Sequence, residues 1–162
     1  MVICGLDDQV RIVEIPRTNL KKQLVRNRMY YRVCLTQNCE ICPFGKADDC
    51  MASGVAYLYL CKTCGEEYIG ETGRSLCVRI KEHLGGMKHS NAATHLGAHR
   101  RKCHENAPFC IAVTILSYES ENVARRTLEA FWLNAKSPKM NRKEECIAVT
   151  NELALYQDLC GF

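Results

Sequence analysis

Two tyrosines, an arginine and a histidine sit close together in one stretch, VAYLYLCKTCGEEYIGETGRSLCVRIKEH, which runs from Val55 to His83. Its first residues, Val55 to Leu60, are rich in aromatic and β-branched residues and read as a strand. A tight Cys61-x-x-Cys64-Gly65 turn follows, and a second short strand ends in Tyr68-Ile69-Gly70, so the pair reads as a hairpin. Tyr57 and Tyr59 lie two residues apart and share a strand face. Glu71-Thr72-Gly73 leads into a helix on which Arg79 and His83, four apart, share one face. A cation, phenols and an imidazole at one strand–helix junction are groups that phosphate chemistry uses.

The rest of the chain supplies the elements that must hold this junction. Thr72 or Ser75 can cap the first helix, which is expected to reach about Leu84 and to end at Gly85-Gly86. Asn91 can cap a second helix, from Ala92 to about Lys102, carrying His95 and His99 on one face with His104 just beyond. Phe109 to Tyr118 alternates with period two, placing Phe109, Ile111, Val113 and Ile115 on one side of a strand. Ser120 caps a last helix with Val123, Leu128, Phe131, Trp132 and Ala135 as its apolar stripe. The order β-β-α-α-β-α predicts an α+β domain, a short three-stranded antiparallel sheet flanked by helices. Upstream, residues 1–16 read as a strand ending at Pro16, and a basic amphipathic helix follows from Asn19. The expected divisions are a basic, Cys-rich connector over 1–50, the domain over 51–145, and a C-terminal tail over 146–162.

At 162 residues, with 47% apolar and 25% charged residues, the composition is that of a soluble globular chain. No apolar run approaches a membrane span, and no basic-then-apolar leader opens the sequence, so an intracellular location is expected. Twelve cysteines then point to zinc instead of disulfides. Cys34, Cys39, Cys42 and Cys50 form one block, and Cys61 and Cys64 another. The turn-rich segment 34–50 has little apolar content of its own, and a structural zinc somewhere in 34–64 would staple it; the spacing leaves open which thiols share an ion. The net charge is +4, yet residues 11–32 hold seven basic side chains against Glu14 alone. Further basic sets occur at 100–102 and 136–143, a pattern that fits a polyanionic partner.

A metal-dependent site also needs a negative centre, and Glu129, in the apolar run Leu128-Glu-Ala-Phe-Trp-Leu133, offers one. A carboxylate near a core needs a partner, and a divalent cation is one. The competing reading is a helix-surface carboxylate beside Arg125 or Arg126.

Together these residues resemble the GIY-YIG nuclease family. The resemblance rests on Tyr57, on Tyr68-Ile69-Gly70 eleven residues on, on Arg79 and His83, and on Glu129 and Asn141. It is closest to the C-terminal endonuclease domain of Penelope-like retroelement proteins, through YIGETGRSL…RIKEH and the cysteine pair between the two signature motifs. The upstream NLKKQLVRNRMY and NCEICPFG resemble the connector in such elements. Val55 and Ala56 depart from the first motif, and Tyr59 is a rival for its tyrosine. The resemblance implies a GIY-YIG fold and hydrolysis of DNA phosphodiester bonds (nicking) with one divalent ion, Mg or Mn, on Glu129. Arg79 would bind the phosphate, Tyr57 or Tyr68 would position or deprotonate the water, His83 would support Tyr57 or shuttle a proton, and Asn141 would fix the local backbone or metal environment. It further implies a structural zinc on Cys61, Cys64 and two downstream histidines, for which His95 and His104 are expected and His99 is the rival. The expected partners are DNA and a reverse transcriptase with its RNA, in the nucleus, with no membrane. The alternative expectation is a catalytically inactive, zinc-stabilised DNA-binding remnant.

Overall fold

The computed structural model describes Cys34 and residues 37–142. The expected strand before Pro16, the helix after Asn19 and the C-terminal tail lie outside the described residues. Strand β1 (Val55–Cys61) pairs antiparallel with β2 (Glu67–Thr72), and β3 (Ile111–Tyr118) pairs antiparallel with β1 on its other side, giving the order β2-β1-β3. Helices α1 (Leu76–Lys88) and α2 (His95–Cys103) lie between β2 and β3 in the chain, and α3 (Asn122–Lys136) follows β3. The chain is therefore an α+β protein with a three-stranded antiparallel sheet flanked by helices. Among the described residues, no helix is long and apolar enough to cross a membrane.

Strand alternation sorts the side chains. Val55, Tyr57, Tyr59 and Cys61 of β1 join Tyr68, Ile111 and Val113 in one core, which Leu76 and Ile80 of α1 and Leu96 of α2 complete. The opposite face, with Ala56, Leu58, Ile69 and Ala112, is also buried. Helix α3 packs against β2 and β1 and buries Ala130 and Phe131. A sheet covered on both faces explains why β1 is buried almost without interruption, unlike a half-exposed strand.

The boundary expected at residue 50 does not interrupt the packing. Ile41 and Cys50 belong to the main core, with 2% and 1% of their surface exposed. Two 3-10 turns, Cys42–Phe44 and Asp49–Met51, carry this segment across the domain, and the Leu76 N–H at the start of α1 donates to the Ala52 carbonyl at 2.8 Å. That bond satisfies a helix-end donor that no side chain reaches, since Ser75 at the cap position makes no capping bond.

Several expected limits move. Helix α1 continues through Gly85-Gly86 to Lys88, because Gly86 serves packing: a Cβ there would come within 2.5 Å of the Thr94 hydroxyl. Helix α2 starts at His95, capped by Thr94, whose hydroxyl accepts from the Gly97 N–H at 3.2 Å. Asn91 instead closes a turn onto the Ala93 N–H. Strand β3 begins at Ile111, not Phe109. Glu121, not Ser120, caps α3, accepting from the Ala124 N–H at 2.8 Å. Val123, expected in the apolar stripe of α3, is 72% exposed, whereas Arg125 is buried.

Strand β2 is an edge strand, and side chains cover its free edge. The Asn141 amide accepts from the Ile69 N–H at 2.9 Å and donates to the Ile69 carbonyl at 2.7 Å, as a neighbouring strand would. The Met140 N–H donates to the Glu67 carbonyl. Asn141→Ala leaves both Ile69 groups without this partner and is expected to destabilise the fold by about 1–2 kcal/mol, read as a lower denaturation midpoint.

Candidate functional site

The hydroxyl of Tyr57 is the meeting point of the expected residues. Tyr57 is fully buried, and its hydroxyl accepts from Arg79 Nε at 3.3 Å and lies 3.4 Å from His83 Nε2. Arg79 and His83 reach it together because they stand one turn apart on α1. Tyr57 faces Gly70 across the β1–β2 ladder, and a Cβ at Gly70 would lie 2.8 Å from the Tyr57 hydroxyl and 2.9 Å from the Tyr68 ring. Gly70 thus leaves the space that lets the phenol lie over β2. A register shift between Ala56 and Tyr57 in the β1–β3 ladder bends the sheet beside the same residue, as bulges near functional side chains do.

Tyr59 is the wrong tyrosine for this role. It stacks between Tyr57 and Tyr68, with ring centroids 5.1 and 5.2 Å away, and it is Tyr57 whose hydroxyl meets Arg79 and His83. Tyr68 is buried between Tyr59 and His95, whose ring lies 4.5 Å from its own.

Electrostatics fix the protonation states. Burial, with Arg79 and His95 nearby, pushes His83 down to about 4, so it is neutral at pH 7. Burial raises Tyr57 above the ordinary phenol range, so it keeps its proton. A neutral His83 can accept the Tyr57 proton while the phenol oxygen accepts from Arg79. Arg79 also reaches Glu82 at 3.4 Å, but Arg74 holds Glu82 more closely with two bonds of 2.8 and 2.9 Å. The Arg79 guanidinium therefore keeps donors for a further anion.

Glu129 is drawn inward from α3 to the β2 edge, where the Glu71 N–H donates to it. It is not a solvated helix-surface carboxylate. Burial first, and the neighbouring Glu71 carboxylate second, push it up to about 7, while Arg126 and Arg79 pull the other way. Its charge also bears on Tyr57. A half-protonated, partly buried carboxylate beside a second carboxylate suits a divalent cation, which would replace the proton. Magnesium commonly takes one or two protein carboxylates and leaves its other positions to water and phosphate.

Sequence reasoning missed what positions Glu71. Arg125, buried, donates through Nε to the Glu71 carboxylate, and its Nη1 reaches the Glu119 and Ser120 carbonyls at 3.3 and 3.4 Å. Its one available signal was its place four residues before Glu129 on α3.

The metal-ligating side chains form two four-residue groups that could each hold an ion. One is Cys34, Cys39, Cys42 and Cys50. The other is Cys61, Cys64, His99 and His104. In both, the ligand atoms lie within 4.8 Å of one another. In the second group Cys61 Sγ is 3.4 Å from His104 Nε2, Cys64 Sγ is 3.4 Å from His99 Nε2, and the two Nε2 atoms are 3.1 Å apart. Tetrahedral bonds of about 2.0 Å to nitrogen and 2.3 Å to sulfur give ligand separations of about 3.3–3.8 Å, so the set fits. Phe109 stacks on His104 and meets His99 edge-on, and Glu66 takes His99 Nδ1 at 3.3 Å, which turns Nε2 inward.

The expected ligand His95 is therefore corrected to His99. Both stand on one face of α2, but four residues translate about 6 Å along a helix. His99 reaches the hairpin turn, and His95, one turn earlier, packs on Tyr68. No sequence signal separated the two.

Searches of protein-family models, curated proteins and solved structures found no match to this chain.

Two outcomes follow from the geometry. Loss of His99 by substitution with alanine is expected to remove one bound metal ion per chain, while His95→Ala retains it, as elemental analysis of purified protein would show. The second concerns Glu129. A carboxylate raised in the folded state stabilises below its ordinary value near 4.5, and that stability is lost as pH rises through about 7. Glu129→Gln should therefore raise the stability of the magnesium-free protein by about 1–2 kcal/mol at pH 8 and leave it unchanged at pH 4, by denaturant titration.

Proposed function

We propose that the chain is a metal-dependent DNA endonuclease of the GIY-YIG type, derived from a Penelope-like retroelement, that nicks DNA by hydrolysing phosphodiester bonds. The observation that carries this reading is the contact of one buried phenol, Tyr57, with both Arg79 and His83, with the Glu129 carboxylate within electrostatic reach. These are residues of the family signature, separated by up to 72 positions in the sequence.

The chemistry follows from the protonation states. Arg79 presents its free donors to the non-bridging oxygens of the scissile phosphate and neutralises the charge that grows there. Tyr57 orients the attacking water through its hydroxyl oxygen. As the water oxygen bonds to phosphorus and the P–O bond to the leaving oxygen breaks, the water's proton passes by way of the Tyr57 hydroxyl to His83 Nε2. Being a weak base, His83 carries it only transiently and releases it towards the leaving oxygen. A magnesium or manganese ion bound by Glu129 would supply Lewis-acid charge at the phosphate. Asn141 acts at one remove, by holding the β2 edge from which Tyr68 and Gly70 project.

Zinc is the ion that suits both cysteine-containing groups, as a four-thiolate and a two-cysteine, two-histidine site. Both would be structural, since four protein ligands leave no open position. DNA is the substrate in this reading. A reverse transcriptase and its RNA are the partners such a nick would serve, and a nuclear location goes with that reading.

The test is nicking of supercoiled plasmid with magnesium or manganese. Wild type is expected to nick, and Arg79→Ala and Glu129→Ala to lose at least about a hundredfold in rate. Equal rates for all three would sink the proposal, and salt-sensitive DNA binding without nicking would identify an inactive remnant. At limiting magnesium, activity should rise as pH passes upward through about 7, because the ion must displace the Glu129 proton. Saturating magnesium should move that midpoint to lower pH.

A further inference from the structure

Two clefts meet at His95. The smaller, of about 210 Å³, is lined by Arg79, His83 and Thr94 and opens on the Tyr57 centre. The larger, of about 670 Å³, runs from His95 along α2 to the segment 139–142, with Arg101, Lys102, Lys139 and Arg142 in its walls. We propose that the larger cleft carries the sugar–phosphate backbone of the DNA strand that is cut, with Arg101, Lys102 and Lys139 on its phosphates. This deepens the nuclease reading and rests on it.

Three observations carry the inference. First, Arg101, Lys102 and Lys139 make no ion pair among the described residues. Elsewhere Arg74 is paired with Glu82, Arg125 with Glu71 and Lys136 with Glu67, and Arg100 is taken up by the Asn106, Met87 and Lys88 carbonyls. Second, the one carboxylate in the cleft wall, Glu66, is turned to His99. A concave surface with several cations and no free carboxylate focuses a positive potential. Third, the cleft is braced. Arg142 donates to the Ala92 and Ala93 carbonyls, which fastens the segment 139–142 to the approach of α2. His99, two residues before Arg101, belongs to the ligand group shared with Cys61 and Cys64 of the hairpin. The cations are thus held at a fixed position relative to Tyr57 on the same hairpin.

The sharing of His95 gives the path its direction. A strand whose scissile phosphate sits on Arg79 passes His95 and enters the basic cleft without leaving the surface.

The test measures binding of the full chain to a labelled DNA duplex over a salt series, without added magnesium or manganese. The variant Arg101→Ala/Lys102→Ala/Lys139→Ala is compared with wild type and with Lys46→Ala/Lys62→Ala/Lys81→Ala, three cations lining neither cleft. Taking the cation away from one phosphate lowers the log–log salt slope by about 0.9, so the cleft variant should fall by about 2–3 in slope and at least about tenfold in affinity at low salt. The control variant should change its slope by less than about 1. Metal content equal to wild type confirms that the cleft variant is folded. An unchanged slope, or an equal fall in both variants, overturns the cleft. If wild type nicks plasmid but the slope does not respond, the cleft fails and the nuclease reading stands. If the slope falls selectively but wild type does not nick, the nuclease reading fails and the cleft stands.

Discussion

The buried hydroxyl of Tyr57 is the interaction on which the architecture turns. A phenol with no exposed surface needs hydrogen-bond partners, and Arg79 and His83 of α1 supply them. That requirement sets the rotation of α1 over the sheet, since only the face bearing Arg79 and His83 satisfies it. It also sets the residue opposite on β2: any side chain larger than glycine at position 70 would occupy the space of the phenol. The lowered basicity of His83 and the weakened acidity of Tyr57 come from the same burial. Packing and protonation are one constraint here.

A second constraint is the free edge of β2. An edge strand that carries a site must be protected without being closed to substrate. Asn141 and Met140 cover Ile69 and Glu67, and Glu129 covers Glu71. The side chain that completes the strand's hydrogen bonding is therefore also the proposed cation ligand. Arg125, clamped to Glu71 and to the carbonyls that follow β3, keeps the two carboxylates from being a purely repulsive pair. Removing that clamp would disturb Glu129 through its neighbour.

The two ligand groups hold the chain where apolar burial is thin, the first within one segment and the second between distant ones. Among the described residues of segment 34–51 only Ile41 and Cys50 are buried, so they dock it on the core while the four thiols, all within it, close the segment on itself. The second group joins the β1–β2 turn to α2 and to His104 beyond it. It thereby places His95 on Tyr68 and the basic end of α2 beside the proposed catalytic cleft.

The sequence alone determined the element order, the sheet's composition and the residues around Tyr57, because each rests on local periodicity or on fixed spacing. Strand alternation put Tyr57 on the correct face, and a four-residue spacing put Arg79 and His83 together. Helix limits were less legible, since Gly86 reads as a stop but serves close packing against Thr94. Val123 and Arg125 exchanged their expected environments because Arg125 has a carboxylate partner 54 residues away, which no local pattern reveals. Only the tertiary structure separated His99 from His95 and the clustered cysteines into two ligand groups. Those choices depend on distances between elements far apart in the chain, and spacing along one element cannot supply them. The stretch from Val55 to His83 specified the groups for phosphate chemistry; the fold decided which of them touch.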